Sequence, residues 1–141
     1  MQGYNQEEEI DFDETFAPIV KLESIRMLLE FACHKNFILY QINVKSAFLN
    51  RYIIEEIYMK QPPHFENEKF PNHIYNLSKA LYNLKQAPRA WYERLSRFLL
   101  ENGFSMGRVD TTLFVKHEDK DLLIVQIYVD DMIFGSTNEL L

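Results

Sequence analysis

Two adjacent carboxylates, Asp130 and Asp131, are the residues of this chain with the clearest potential for chemistry. They end the apolar run 122–129, and a second apolar stretch, 132–134, follows at once. This pattern predicts a strand, a tight turn that holds both acids, and a return strand. Carboxylates on a rigid turn can hold a divalent metal through oxygen ligands. Asp is also common in turns for structural reasons alone, so the pair by itself leaves both interpretations open.

The composition indicates a globular domain, or one piece of a larger protein. The chain has 141 residues, of which 47% are hydrophobic and 26% charged, as in ordinary folded domains. No apolar run reaches the roughly 18 residues that span a membrane, and Met1–Asn5 lacks the features of a signal peptide. Cys33 is the only cysteine, so an intrachain disulfide is excluded, and we expect it to be a small core residue.

The charge distribution is uneven. The net charge of −6 argues against a nucleic-acid binder, which normally has a basic face. Much of the acidity lies within 7–14, whereas the stretch 79–108 is basic on balance, with Lys79, Lys85, Arg89, Arg94, Arg97 and Arg108. The local distribution therefore leaves nucleic-acid binding open.

Hydrophobic periodicity predicts the elements that must position the acids. Ser24 is placed to cap a helix over about 25–35, and a second helix is expected from Pro88 to Gly103. Strands are expected near 37–42, 56–60, 73–77, 112–117 and 122–129. Because hairpins dominate over alternating strands and helices, we expect an α+β domain, an antiparallel sheet with helices packed on one face.

Five sequence blocks then occur in a fixed order. They are ETFAPIVK at 14–21, VKSAFLN at 44–50, EEIYMKQPP at 55–63, LKQAPRAWY at 84–92 and YVDDM at 128–132. Over nearly its whole length the chain resembles the reverse transcriptase of copia-type LTR retrotransposons. The resemblance implies a partial fingers–palm domain over 1–141, with 1–35 fingers-like, 36–141 mainly palm, a fingers hairpin at about 55–80, and no thumb.

The resemblance also implies a reaction, a cofactor and partners. The reaction is RNA- or DNA-templated nucleotidyl transfer with two Mg²⁺ ions, one activating the primer 3′-hydroxyl and one holding the triphosphate. The expected partners are an RNA or DNA template-primer and deoxynucleoside triphosphates, and the remainder of a retrotransposon polyprotein is expected to be absent. The expected setting is intracellular, in a cytoplasmic particle or the nucleus, without a membrane.

The resemblance assigns roles to particular residues. Asp130 and Asp131 match the catalytic, metal-binding hairpin, and Asn43 falls where the family has its first catalytic Asp. Residues expected near the nucleotide are Lys45, Ser46 and Ala47 beside the triphosphate, Phe48 under the sugar, where it excludes a 2′-hydroxyl, and Gln86. Taken alone, Phe48 is better explained as a core residue, and Gln86 as a helix cap or a surface residue.

Asn43 is the most consequential departure from the family pattern. Asn keeps the size of Asp but loses its charge, which leaves two carboxylates facing ions that carry four positive charges. A loss of ~3–5 kcal/mol in transition-state stabilisation corresponds to about 10²- to 10⁴-fold in rate. Three readings follow: a degenerate polymerase, a noncatalytic remnant that binds nucleic acid or protein, and an active subunit that borrows an acid from another chain.

Glycine is scarce, with four in the chain. Where the family pattern has glycine, this chain has Glu9, Arg51, His64 and Asn83. If the backbone keeps a positive φ at such positions, a larger residue costs roughly 1 kcal/mol or more. We also expect an exposed strand edge next to the YVDD hairpin.

Overall fold

A computed structural model describes residues 17–50, 52–82 and 84–138 of the chain. In order, the elements are α1 (Leu22–Lys35), β1 (Leu39–Asn43), a short 3₁₀ turn (Phe48–Asn50), β2 (Tyr52–Lys60), β3 (Ile74–Lys79), α2 (Ala87–Glu101), β4 (Ser105–Met106), β5 (Leu113–Glu118), β6 (Asp121–Tyr128) and β7 (Asp131–Ser136). The fold is mixed α and β, with all strand pairs antiparallel. None of the helices in these ranges is long and apolar enough to cross a membrane.

The strands form two sheets. The larger has five strands in the order β1-β7-β6-β5-β4, and the smaller is the hairpin β2-β3. Strand β7 is the middle strand at the end of the large sheet that holds the two carboxylates. It pairs with β1 on one side and with β6 on the other. The crossover from β1 to β7 brings residues 88 positions apart into register, so Asn43 faces Asp131.

Helix α2 covers one half of the large sheet. Its Tyr92 and Leu99 pack with Phe114 and Ile127 in a buried cluster, a contact that amphipathic spacing along the helix provides. The helix begins at Ala87 with Pro88 in its first turn, as predicted. It ends at Glu101, and Gly103 at φ 85 lets the chain turn away.

Helix α1 is linked to the loop that precedes β5. Ser24 donates a hydrogen bond to Asp110, and Asp110 accepts one from Gln126 at 3.4 Å. Gln126 alternates along β6 with Val125 and Ile127, which face α2. Polar contacts through Asp110 therefore connect α1 to strand β6.

Two local predictions about α1 were wrong. The residue before the helix is Lys21, with no side-chain cap, and Ser24 lies inside the first turn and bonds Asp110 instead. Cys33 is exposed rather than part of the core. The buried face of α1 is formed by Leu28 and Ala32, and Cys33 lies about 100° round the helix from Ala32.

A second buried cluster joins the small sheet to α2. It consists of Ala47, Phe48, Ile57, Ala80, Leu84, Ala87 and Trp91, and Val44, Leu77, Leu81, Leu95 and Val129 pack against it. This cluster therefore connects the hairpin β2-β3, the turn after β1 and the start of α2. It is the structural support of the acidic end of the large sheet.

Candidate active site

The two carboxylates lie where β6 turns into β7. Tyr128 pairs with Asp131, which leaves Val129 and Asp130 as a two-residue turn. The predicted turn therefore holds one acid, Asp130, whereas Asp131 is the first residue of the return strand. Both side chains are partly exposed and so accessible from solvent.

Val129 has an unusual backbone conformation. Its φ is 55°, a value that is a genuine outlier for a β-branched residue. Strain of this kind costs on the order of 1–3 kcal/mol and persists only where neighbouring structure holds it. Here the Val129 side chain packs against the second cluster, and the Val44 amide donates to the Asp130 carbonyl at 2.8 Å. The side-chain packing and the backbone hydrogen bond therefore both stabilise this turn conformation.

Asn43 faces the site from the edge strand. Its Nδ2 donates a hydrogen bond to Oδ1 of Asp131 at 3.1 Å. An ionised carboxylate only accepts hydrogen bonds, so the amide N–H group must be the partner. An oxygen of Asp131 that could bind a cation thus faces a hydrogen-bond donor. Among the residues that the structure describes, no group of three His, Cys, Asp or Glu side chains is arranged to hold a metal ion.

The segment after β1 places the residues assigned to the triphosphate and the sugar. Lys45 and Ser46 are exposed, whereas Ala47 is fully buried. Ser46 has φ 59 and accepts a hydrogen bond at its carbonyl from Asn50 Nδ2 at 3.1 Å. Phe48 is buried in the second cluster, as expected if this ring is a core residue.

Gln86 is neither a helix cap nor a surface residue. It precedes α2 but makes no side-chain cap, and it is 2% exposed, so it is not a surface residue. Neither Oε1 nor Nε2 has a hydrogen-bond partner within the described part of the chain, and the same holds for Trp91 Nε1. Buried polar groups without partners cost free energy, so such groups in a native protein call for an explanation, such as a ligand or water.

Two features of this region were not predicted from the sequence. The Tyr82 ring contacts the Phe48 ring, with centroids 4.7 Å apart and ring planes tilted by 56°. Asp110, Thr112 and Gln126 form a hydrogen-bonded group beneath the sheet. Hydrophobic periodicity predicts neither feature. Each one joins residues from loops, or from loops and a strand, and the sequence does not show that these residues are adjacent in the fold.

The structure is thus a mixed α/β fold with carboxylates at one end of an antiparallel sheet. This arrangement defines the class of protein, which is one with an acidic site open to solvent. Residues 1–141 match the family described as reverse transcriptase (RNA-dependent DNA polymerase). The chain is 43% identical over 132 residues to the retrovirus-related Pol polyprotein from transposon RE1 of Arabidopsis thaliana, covering 94% of this chain and 9% of that protein. It is 40% identical over 140 residues to the corresponding RE2 polyprotein, covering 99% and 10%.

A third relative is the retrovirus-related Pol polyprotein from transposon TNT 1-94 of Nicotiana tabacum, 39% identical over 134 residues, which cover 94% of this chain and 10% of the relative. The chain thus spans about one-tenth of the length of these curated relatives. No solved structure is significantly similar to it. The chain therefore belongs to the reverse transcriptase family, as a domain of the copia-type retrotransposon Pol polyproteins.

Proposed function

We propose that this chain is a degenerate RNA-directed DNA polymerase domain, which keeps the family's fold but has lost catalysis. The carrying observation is the hydrogen bond from Asn43 to Asp131 across β1 and β7. By the family resemblance, this amide would stand where a third carboxylate is expected. Asp130 and Asp131 remain as the catalytic and metal-binding acids.

The donor set does not fit the cofactor that the family implies. Reverse transcriptases generally use divalent metal ions, and Mg²⁺ prefers anionic oxygen ligands in octahedral geometry. Asn43 offers no anionic oxygen, and its N–H group competes with a cation for Asp131. The site therefore lacks the charge to hold two Mg²⁺ ions.

The remaining family assignments are part of the same proposal. Strands β2 and β3 would be the fingers hairpin and the five-stranded sheet the palm. Lys45, Ser46 and Ala47 would lie beside a bound triphosphate, and the unpartnered amide of Gln86 supports a nucleotide-binding role. The partners would be a template-primer and deoxynucleoside triphosphates.

Primer extension tests the proposal. The purified chain is assayed on poly(rA)/oligo(dT) with Mg²⁺ or Mn²⁺, beside Asn43→Asp and the charge-matched control Asn76→Asp, which adds an acid on exposed β3. We expect extension by Asn43→Asp alone, because it restores the third carboxylate. Extension by the unmodified chain above background would contradict the proposal. If neither chain extends the primer, the defect is not confined to Asn43.

A second candidate is a noncatalytic remnant that binds nucleic acid. It is favoured by the exposed Arg94 and Arg97 on α2 and by exposed Arg108 beyond it, whereas the net charge of −6 opposes it. Filter binding across a salt titration tests this candidate. Binding that weakens steeply with salt would support it, and absence of binding at low ionic strength would remove it.

A further inference from the structure

Strand β1 is an open edge of the large sheet. Within the described residues it pairs with β7 on one side only, and residues 40–43 are all exposed. The opposite edge of the same sheet is β4, which has two residues. Strand β1 is therefore the long edge of this sheet, where unpaired backbone groups are available to another strand.

The backbone of β1 directs alternate residues outward. The Val44 amide donates to the Asp130 carbonyl at 2.8 Å, so the backbone of Val44 points towards the hairpin β6-β7. In an antiparallel ladder, successive residues direct their N–H and C=O groups to opposite sides. The residues of β1 at odd positions therefore direct these groups away from the sheet, and they are Leu39, Gln41 and Asn43.

The side chains of β1 give this edge an uncharged and partly apolar surface. Tyr40 and Ile42 lie on one face of the sheet and are both exposed. Tyr40 stacks on Phe134 of the neighbouring strand, with ring centroids 5.6 Å apart. Residues 39–43 include no charged side chain, so no like charges would oppose each other if this strand paired with its own copy.

We propose that β1 pairs with β1 of a second copy of this chain, antiparallel and with Gln41 on the twofold axis. This register matches outward backbone groups with outward ones, because Gln41 faces the partner's Gln41 and Leu39 faces the partner's Asn43. It also sets Tyr40 opposite the partner's Ile42, and the twofold axis repeats this pair. Aromatic and β-branched side chains that face each other stabilise antiparallel strands.

The symmetry of this pairing limits the assembly to two copies. The two long edges face each other across the axis, and the two-residue strand β4 forms each end of the joined sheet. An isologous contact of this kind gives a dimer rather than an open fibre. The contact is small, below about 1,200 Å², so the dimer is weak and depends on concentration. It needs neither metal nor nucleotide and is therefore independent of the proposed function.

Sedimentation equilibrium measures the association. The full chain is examined in EDTA from about 1 µM to about 1 mM, the range in which weak complexes form. We expect the data to fit an equilibrium between monomer and dimer. A monomer at every concentration, or continued growth to species larger than a dimer, would overturn the proposal.

Two substitutions at Gln41 test the outward backbone group. Gln41→Pro removes the N–H group on the axis, and proline is tolerated on an edge strand where that group faces solvent. Gln41→Thr keeps the N–H group and favours a strand, so it is the matched control. We expect Gln41→Pro to weaken the dimer at least roughly tenfold, because the hydrogen bonds across the axis are lost. Equal dimer affinity in the two variants would overturn the proposal.

Disulfide crosslinking tests the register and remains informative if Gln41→Pro fails to fold. In a Cys33→Ser background, which removes the only native cysteine, chains that carry Tyr40→Cys or Ile42→Cys are oxidised with glutathione disulfide, separately and as a mixture. Opposed residues of a non-hydrogen-bonded pair have Cα atoms about 4.5 Å apart, within reach of a disulfide. Identical positions lie on a diagonal, about 7–8 Å apart.

The mixture should crosslink at least roughly tenfold faster than either chain alone, because only the mixture places two cysteines opposite each other. Circular dichroism of each chain checks that its fold is unchanged. Equal rates in the three samples, or no crosslinked dimer in the mixture, would overturn the pairing of β1 with its own copy.

Discussion

At the scale of single residues, His64 adopts a backbone conformation that favours glycine. The Phe65 amide donates to the Pro62 carbonyl at 3.0 Å, and His64, the third residue of this turn, has φ 70. Pro at the second position and a positive φ at the third are typical of a type II turn, which favours glycine there. His64 is thus a larger residue at a positive φ, whereas the replacement of a glycine there stays a prediction. Glu9, Arg51 and Asn83 lie outside the described residues.

Restoring glycine at this position should stabilise the protein. We expect His64→Gly to raise the free energy of unfolding by a few tenths to about 1 kcal/mol, because relief of the left-handed strain exceeds the entropy that glycine adds to the unfolded chain. Urea denaturation measures the change. His73→Gly, in the same loop but without a positive φ, should destabilise, since His73 stacks on Phe70 at 4.6 Å. Equal effects of the two substitutions would contradict the assignment of strain.

Asp110 gives a prediction about pH. Burial raises the pKa of the Asp110 carboxyl, but hydrogen bonds from Ser24, Thr112 and Gln126 outweigh it and hold the pKa below its ordinary value. A carboxyl with a depressed pKa in the folded state stabilises the fold above its unfolded pKa of about 3.9. That stability is lost as the pH falls through the lower pKa of the folded state.

The Asp110→Asn variant tests this linkage. We expect it to unfold at a lower urea concentration than the unmodified chain at neutral pH, with the difference shrinking as the pH falls below about 4. The physical reason is that a protonated Asp110 no longer carries the charge that its donors stabilise. A difference in unfolding free energy that stays constant from pH 7 to pH 3 would show that the charge of Asp110 contributes nothing.

At the scale of elements, strand β1 is the exposed edge of the large sheet. Tyr40 and Phe134 stack at 5.6 Å on the sheet half that α2 leaves bare. Residues 39–43 include neither Lys nor Pro, residues that usually protect an edge strand from pairing with another chain. Within the described residues, β1 is therefore an edge strand that pairs with β7 of the YVDD hairpin.

This edge should promote self-association. We expect Tyr40→Lys to reduce concentration-dependent light scattering, because a charge on an edge strand opposes pairing with a second copy. Phe98→Lys serves as the control, since Phe98 is a similarly exposed aromatic residue, on helix α2. Scattering that is unchanged by Tyr40→Lys, or lowered equally by both, would assign the association to general hydrophobicity.

The elements also show how far the sequence alone could lead. Every helix and every strand expected within the described residues is present with shifted ends, because periodicity and turn residues act locally. The two-residue strand β4 was not foreseen, since so short a strand has no period. The contact of Ser24 with Asp110 was not foreseen because it joins residues 86 positions apart. The contact between the tilted rings of Tyr82 and Phe48 also joins residues that are distant in the sequence.

At the scale of the whole molecule, family membership and chemical competence are separate properties. Among the described residues, the fold is supported by two buried clusters, neither of which includes Asn43. Under the proposed function, an amide in place of a carboxylate at Asn43 would therefore cost activity while the packing stays intact. The proposed site, by contrast, depends on a few groups at the ends of β1 and β6, where the exchange of an amide for a carboxylate would decide whether a cation is attracted.

The central claim is that Asn43 deprives the site of metal-binding charge, and Mn²⁺ binding followed by electron paramagnetic resonance tests it most directly. The unmodified chain, Asn43→Asp and Asn76→Asp would be titrated under identical conditions. We expect Asn43→Asp to bind Mn²⁺ at least roughly tenfold more tightly than the other two chains, equivalent to about 1.4 kcal/mol. Equal affinity in all three chains, or tight binding by the unmodified chain, would contradict the claim.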